Sequence, residues 1–161
     1  MIEVAENNFE SFLAKGKLVE MTFYKLKEKQ GCVMKVSSVN EDMKEHWDLS
    51  YDGKKVDVKA IKGIVRYDKP NENYHHIELT NIMGLPGWLF GSADEFAFEC
   101  EDYFVIVTAA DLKALIKRKL KHKICTFPTP YEVYHRAGNK DSTTLAKTID
   151  IIIIAKEILF K

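Results

Sequence analysis

The sequence has few cysteines, no excess of either charge and no long apolar run. Cys32, Cys100 and Cys125 are odd in number, widely spaced and without a CxxC pair. That pattern argues for a reducing compartment, against a structural zinc site, and for ordinary buried or half-buried thiols. Lysine plus arginine total 24 and aspartate plus glutamate total 24, so any preference for a polyanion has to come from local clustering. Neutral overall charge does not exclude DNA as a partner. The amino terminus carries Glu3 and Glu6 where a signal peptide would be basic. The longest apolar run, Ile151 to Ala155, is far below the roughly 20 residues needed to cross a bilayer. Repeats and low-complexity segments are also missing. These absences together predict a cytoplasmic, soluble protein with no membrane partner.

With 161 residues, 46% of them hydrophobic, the chain suits one compact domain over residues 1–161. Ile2, Ala5, Phe9, Phe12 and Leu13 share one side of a helical wheel, which predicts an amphipathic helix to Lys15. A continuation past Gly16 through Val19, Phe23 and Leu26 is compatible with the same spacing. Cys32 to Val39 alternates as a short strand, and "NEDMKEH" follows as a polar connection. Asp52-Gly53, flanked by alternating runs, predicts a hairpin of Trp47 to Tyr51 and Lys55 to Ile61. Further strands are expected at Tyr74 to Thr80, Glu95 to Glu99 and Tyr103 to Thr108, with "MGLPGW" as a loop. A helix should run from Asp111, with Ala109 and Ala110 leading in, to about Lys121. The apolar run in the tail is too short for periodicity to separate strand from helix. The expected class is α/β, a small mixed β-sheet flanked by helices.

Alternation along the returning strand puts Asp57 and Lys59 on one face and Val56, Val58 and Ala60 on the other. Asp48 lies on the outgoing strand of the same hairpin. Carboxylates brought together on adjacent strands repel unless a cation sits between them, and Mg2+ suits a site of a few carboxylates and retained water. The alternative is a pair of solvated charges on an open hairpin face, and spacing does not separate the two.

Asp48 followed by Asp57-Val58-Lys59 resembles the active-site signature of the PD-(D/E)XK nuclease superfamily. An amphipathic helix before the hairpin is similar to the start of that superfamily's helix, three-strand, helix, strand arrangement, the restriction-endonuclease-like core. "GLPGWLFGSADEFAFECEDYFVIVTAADLKALI" resembles small phage and bacterial endonucleases and Holliday junction resolvase-like members. Trp47 stands where the signature's proline would be, and Asp57 where glutamate is commoner.

The resemblance implies a metal-dependent endonuclease that hydrolyses DNA, with branched or junction DNA as substrate and a homodimer as its assembly. Asp48, Asp57 and the backbone carbonyl of Val58 would bind Mg2+, with Mn2+ as a substitute, and Lys59 would position the attacking water. A glutamate from the first helix often joins such sites; Glu6, at the edge of the apolar stripe, suits this better than Glu10. Two alternatives stand beside this function: a non-catalytic nucleic-acid-binding or inhibitory protein with the nuclease fold, and a nuclease acting on RNA.

Several other residues invite a role. Lys54, Lys55 and Lys62 near the hairpin are candidate phosphate contacts, as are Lys117 and Arg118 among the basic residues from Lys113 to Lys123. Lysines near a helix C-terminus are also favoured by the helix dipole alone. Trp88 fits a core position better than a base-stacking one, and His46 beside Asp48 fits a structural role better than a phosphate contact. His75 and His76 alternate faces on a strand and so cannot share a metal. Outward-facing acids of "DEFAFECED" would keep DNA away from their side of the molecule.

Overall fold

The computed structural model describes the backbone of residues 2–161 and the side chains of residues 15–161. In chain order the elements are α1 Ile2–Lys29, β1 Met34–Val36, α2 Val39–Glu45, β2 Leu49–Tyr51, β3 Lys54–Lys59 and β4 Tyr74–Thr80. A 3-10 turn at Trp88–Phe90 precedes β5 Glu95–Glu99, β6 Tyr103–Thr108 and α3 Ala109–Lys119. The chain ends with β7 Ile124–Cys125, β8 Val133–His135, β9 Ser142–Lys147, α4 Thr148–Ile153 and β10 Glu157–Phe160. The result is a mixed α/β fold, with two mixed sheets where a single small one was expected.

The larger sheet runs β1-β2-β3-β5-β6-β10, and only β3 and β5 in it are parallel. Parallel neighbours need a crossover connection. Here that connection holds no α-helix; it leaves β3, contributes β4 to the second sheet, passes the 3-10 turn and returns to β5. The second sheet, β4-β9-β8-β7, depends on the tail, because β9 is the partner that covers β4 along its length.

Helix α1 lies over one face of the larger sheet. Its Phe23 is fully buried, edge-on to Phe104 at 5.4 Å and to Tyr51 at 6.3 Å between ring centroids. Gly16 does not end this helix, since isolated glycine costs only about 1 kcal/mol in a helix interior and the buried Val19 and Phe23 beyond it offset that. The stop is Gly31, at φ +89, where Cys32 N–H bonds Lys27 O and Gly31 N–H bonds Glu28 O. The opposite face of the sheet packs against the 3-10 turn, α3 and α4 through Phe96, Phe98, Leu89, Leu112 and Ile151.

"NEDMKEH", expected as a connection, is mostly helix α2. Ser38 and Glu41 form a reciprocal capping box, and His46 closes the helix in the left-handed region at φ +58. No α2 residue is buried, so no apolar periodicity marked it. The hairpin turn is as expected: Asp52 and Gly53 both have positive φ, and Asp52 Oδ1 also accepts the Val33 N–H at 2.8 Å.

Candidate active site

The hairpin places the acids by ending its ladder early. Leu49 opposite Val56 is the last rung of the β2–β3 ladder, so Asp48 lies just beyond the end of β2. Asp48 is fixed by its own N–H donating to Val56 O at 2.9 Å and by Ser37 N–H donating to its carbonyl at 3.0 Å. Its side chain then turns into the sheet edge, where Oδ2 accepts the Val58 N–H at 2.7 Å. A strand residue's N–H and C=O leave on the same edge, so the Val58 carbonyl faces the end of β2 where Asp48 sits. Asp57 is 4% exposed, and its Oδ2 is 2.9 Å from Lys59 Nζ. The Lys59 ammonium also lies 4.3 Å from the centroid of the Trp88 ring.

Lys59 is paired with Asp57, and among the described residues no cation lies within 4.0 Å of the Asp48 carboxyl. Burial first, then the Asp57 charge, then Glu20, hold the Asp48 carboxyl well above the ordinary carboxylate range; the Val58 N–H and Lys59 offset only part of this. An acid whose folded pKa is raised stabilises the fold fully below its unfolded value, about 4, and loses that contribution as pH rises toward the folded one. Metal-free protein is therefore expected to melt at progressively lower temperature as pH rises from about 4 through neutrality. Asp48→Asn should flatten this dependence in thermal melts recorded with chelator, and an unchanged slope would refute the assignment of the raised pKa to Asp48.

Glu20 on α1 was missed in the sequence. It lines a cleft of about 370 Å3 together with Lys17, Tyr24 and Asp48, and Lys17 Nζ is 3.1 Å from its Oε2. The signal was present, since Glu20 stands one residue after buried Val19 and three before buried Phe23. The first-helix candidate Glu6 lies outside the described side chains. Among the described residues no three His, Cys, Asp or Glu side chains already converge as a metal cage. Asp48, Asp57 and the Val58 carbonyl are hard oxygen donors near one strand end, where a cation would take the place of the Asp48 proton. That donor set fits a magnesium-type cation, which takes one or two carboxylates and keeps its waters.

The candidate phosphate contacts separate. Lys54 is 3.9 Å from Glu95, a buried acid that also pairs with Lys156 at 2.6 Å and hydrogen-bonds Tyr51. Lys55 is 3.6 Å from Glu45 and faces the Trp47 ring. Lys62 opens into a larger cleft of about 680 Å3 that also contains Lys59. The residue is exposed, and its ammonium is held below its ordinary value, first by desolvation and next by Lys59. Lys117 and Arg118 are exposed at the end of α3, where the neighbouring Lys119 pairs with Asp150.

Glu95 and Glu99 do not form an acidic exterior. Both are buried, and Glu99 accepts from Ile61 N–H and pairs with Lys161 at 2.9 Å. His46 is the α2 cap, packed against Gly91. His75 is buried beside Phe98, and burial lowers its pKa to about 4.

Trp88 is half-buried, stacked near Phe96 at 5.1 Å on one side and under Lys59 on the other, so it is both a core contact and a wall of the site. Gly87 sets its position: a Cβ there would stand 2.5 Å from the Glu78 carbonyl oxygen, and Glu78 Oε1 accepts the Trp88 N–H at 3.1 Å. Gly87→Ala should cost about 1–3 kcal/mol by forcing a backbone shift, visible as a lower denaturation midpoint. A midpoint equal to wild type would show that this approach is soft.

Searches against protein-family models, curated proteins and solved structures find no match to the chain.

Proposed function

We propose that the protein is a metal-dependent nuclease that hydrolyses phosphodiester bonds in DNA, with Asp48 and Asp57 as cation ligands and Lys59 as the positioning cation. The observation that carries this is Asp48 turned onto the Val58 N–H of β3, the strand whose buried Asp57 is paired with Lys59. The chain order supports a restriction-endonuclease-like core: α1, three antiparallel strands β1 to β3, then β5 parallel to β3. The helix expected between the third and fourth core strands is replaced by β4 and the 3-10 turn.

Asp48, Asp57 and the Val58 carbonyl would hold Mg2+, or Mn2+ in its place, which supplies acidification of a bound water and polarisation of the phosphate. Lys59, held between Asp57 and the Trp88 ring, presents its ammonium beside the attacked phosphate. A protonated amine has no lone pair for a metal, so its part is to orient water and neutralise developing charge. Three free thiols support action in a reducing compartment.

A substrate panel tests this proposal: supercoiled plasmid, single strand, flap, four-way junction and RNA, each with Mg2+, Mn2+ or chelator. Cleavage of at least one DNA substrate only with metal is expected. Inertness on all of them would overturn it, and cleavage confined to RNA would move the activity to that polymer.

A further inference from the structure

Building on the nuclease assignment, we propose that the larger cleft is a subsite for single-stranded nucleic acid, which receives the unpaired strand leading to Asp48 and Asp57. At about 680 Å3 it is the size of a small-ligand site, enough for unpaired nucleotides and too small to admit a duplex. Lys59 and Trp88 are among its lining residues, and Lys59 is 2.9 Å from Asp57, so the cleft reaches the Asp57 face of β3.

Its charge is unlike that of the whole chain. Lys15, Lys59, Lys62, Arg66 and Arg136 line it against Asp68, Glu78 and Asp141. Asp141 and Arg136 pair with each other at 2.9 Å, and Glu78 accepts the Trp88 N–H while keeping its charge. Among the described residues neither Lys62 nor Arg66 has a carboxylate within 4.0 Å. Unpaired cations gathered in a confined space suit a polyanionic backbone.

The aromatic component is Tyr67. It is 72% exposed at φ +72, a conformation unfavourable for a bulky side chain, and the Arg66 guanidinium lies 5.5 Å from its ring. The surrounding loop is built rather than slack. Asn71 N–H bonds Lys62 O at 3.0 Å, Asp68 N–H bonds Val65 O at 3.2 Å, and Lys15 Nζ donates to Ile61 O at 3.2 Å. Gly63 has no room for a Cβ, which would stand 2.7 Å from Asp68 O. An exposed ring held in a strained pose beside unpaired cations is the combination that binds single strands: bases stack on the ring and phosphates follow the charges.

Fluorescence anisotropy with chelator present tests this with labelled oligothymidylate, oligouridylate and a blunt duplex. Wild type should bind a single strand at least about tenfold more tightly than the duplex, and Tyr67→Ala should weaken that binding by about tenfold or more. Arg66→Ala should lower the salt slope by about one, while Tyr67→Phe keeps the ring and the affinity. Lys29→Ala, exposed on α1, should bind as wild type. The tighter of the two single strands identifies the polymer. Equal binding of duplex and single strand, or wild-type binding by both Tyr67→Ala and Arg66→Ala with unchanged melting temperatures, would overturn the proposal. Binding through Tyr67 without cleavage under any metal would uphold the subsite and defeat only the nuclease assignment. Cleavage that persists with binding independent of Tyr67 would do the reverse.

Discussion

Asp57→Asn should abolish metal-dependent cleavage while leaving the metal-free fold close to wild type. Loss of the charge removes one of the two carboxylate ligands, and an amide oxygen is a poor substitute for a carboxylate on a hard cation. The fold is spared because two effects oppose each other. Lys59 loses the carboxylate at 2.9 Å, but Asp48 loses the neighbour that helps keep its carboxyl protonated and can ionise in its place. The site then still contains one carboxylate and one ammonium. For a chain of this size a residual imbalance of about 1 kcal/mol shifts the melting temperature by about 2–4 °C. Thermal melts with chelator, run beside cleavage assays with Mg2+, check both halves. Collapse of the metal-free transition would make Asp57 a structural acid.

Lys59→Ala separates catalysis from metal binding. The variant should still bind Mg2+ and nucleic acid, yet turn over bound substrate at least about two orders of magnitude more slowly, the usual loss for one positioned electrostatic or acid-base group. Its surroundings add a structural cost, because Asp57 loses its ion-pair partner and Trp88 its overlying cation. Lys59→Arg keeps the charge, so its stability should be nearer wild type, while the broader guanidinium misplaces the positive centre and keeps turnover low. Lys62→Ala provides the comparison. Lys62 lines the cleft without a carboxylate partner, so its loss should appear as weaker, salt-dependent binding, with kcat reduced far less. Identical small, salt-sensitive losses from both alanine variants would reduce Lys59 to a backbone contact.

The parts of the fold readable in the sequence were those set by local chemistry. Asp52-Gly53 specified the hairpin because both residues tolerate positive φ, and alternation bounded the strands at 74–80, 95–99 and 103–108 as the structure has them. The unreadable parts depend on distant partners. β4 leaves for a second sheet because β9 in the tail pairs with it, from Tyr74 opposite Lys147 to Thr80 opposite Ser142. Glu95 and Glu99 looked like surface acids because Lys156 and Lys161, which neutralise them, lie 61 and 62 residues further along the chain. The same contrast holds at the site. The Asp48, Asp57 and Lys59 spacing is local and was visible, whereas Glu20 becomes relevant only when α1 runs through Gly16 and crosses the hairpin.

Cleavage of the best DNA substrate of the panel by wild type, Asp48→Asn and Asp57→Asn, purified identically and assayed with Mg2+ and with chelator, tests the shared-cation claim most directly. The account predicts cleaved DNA from wild type with Mg2+ alone, and intact substrate from both variants and from every chelated sample. Equal cleavage by wild type and both variants, or cleavage by wild type that persists in chelator, would contradict it.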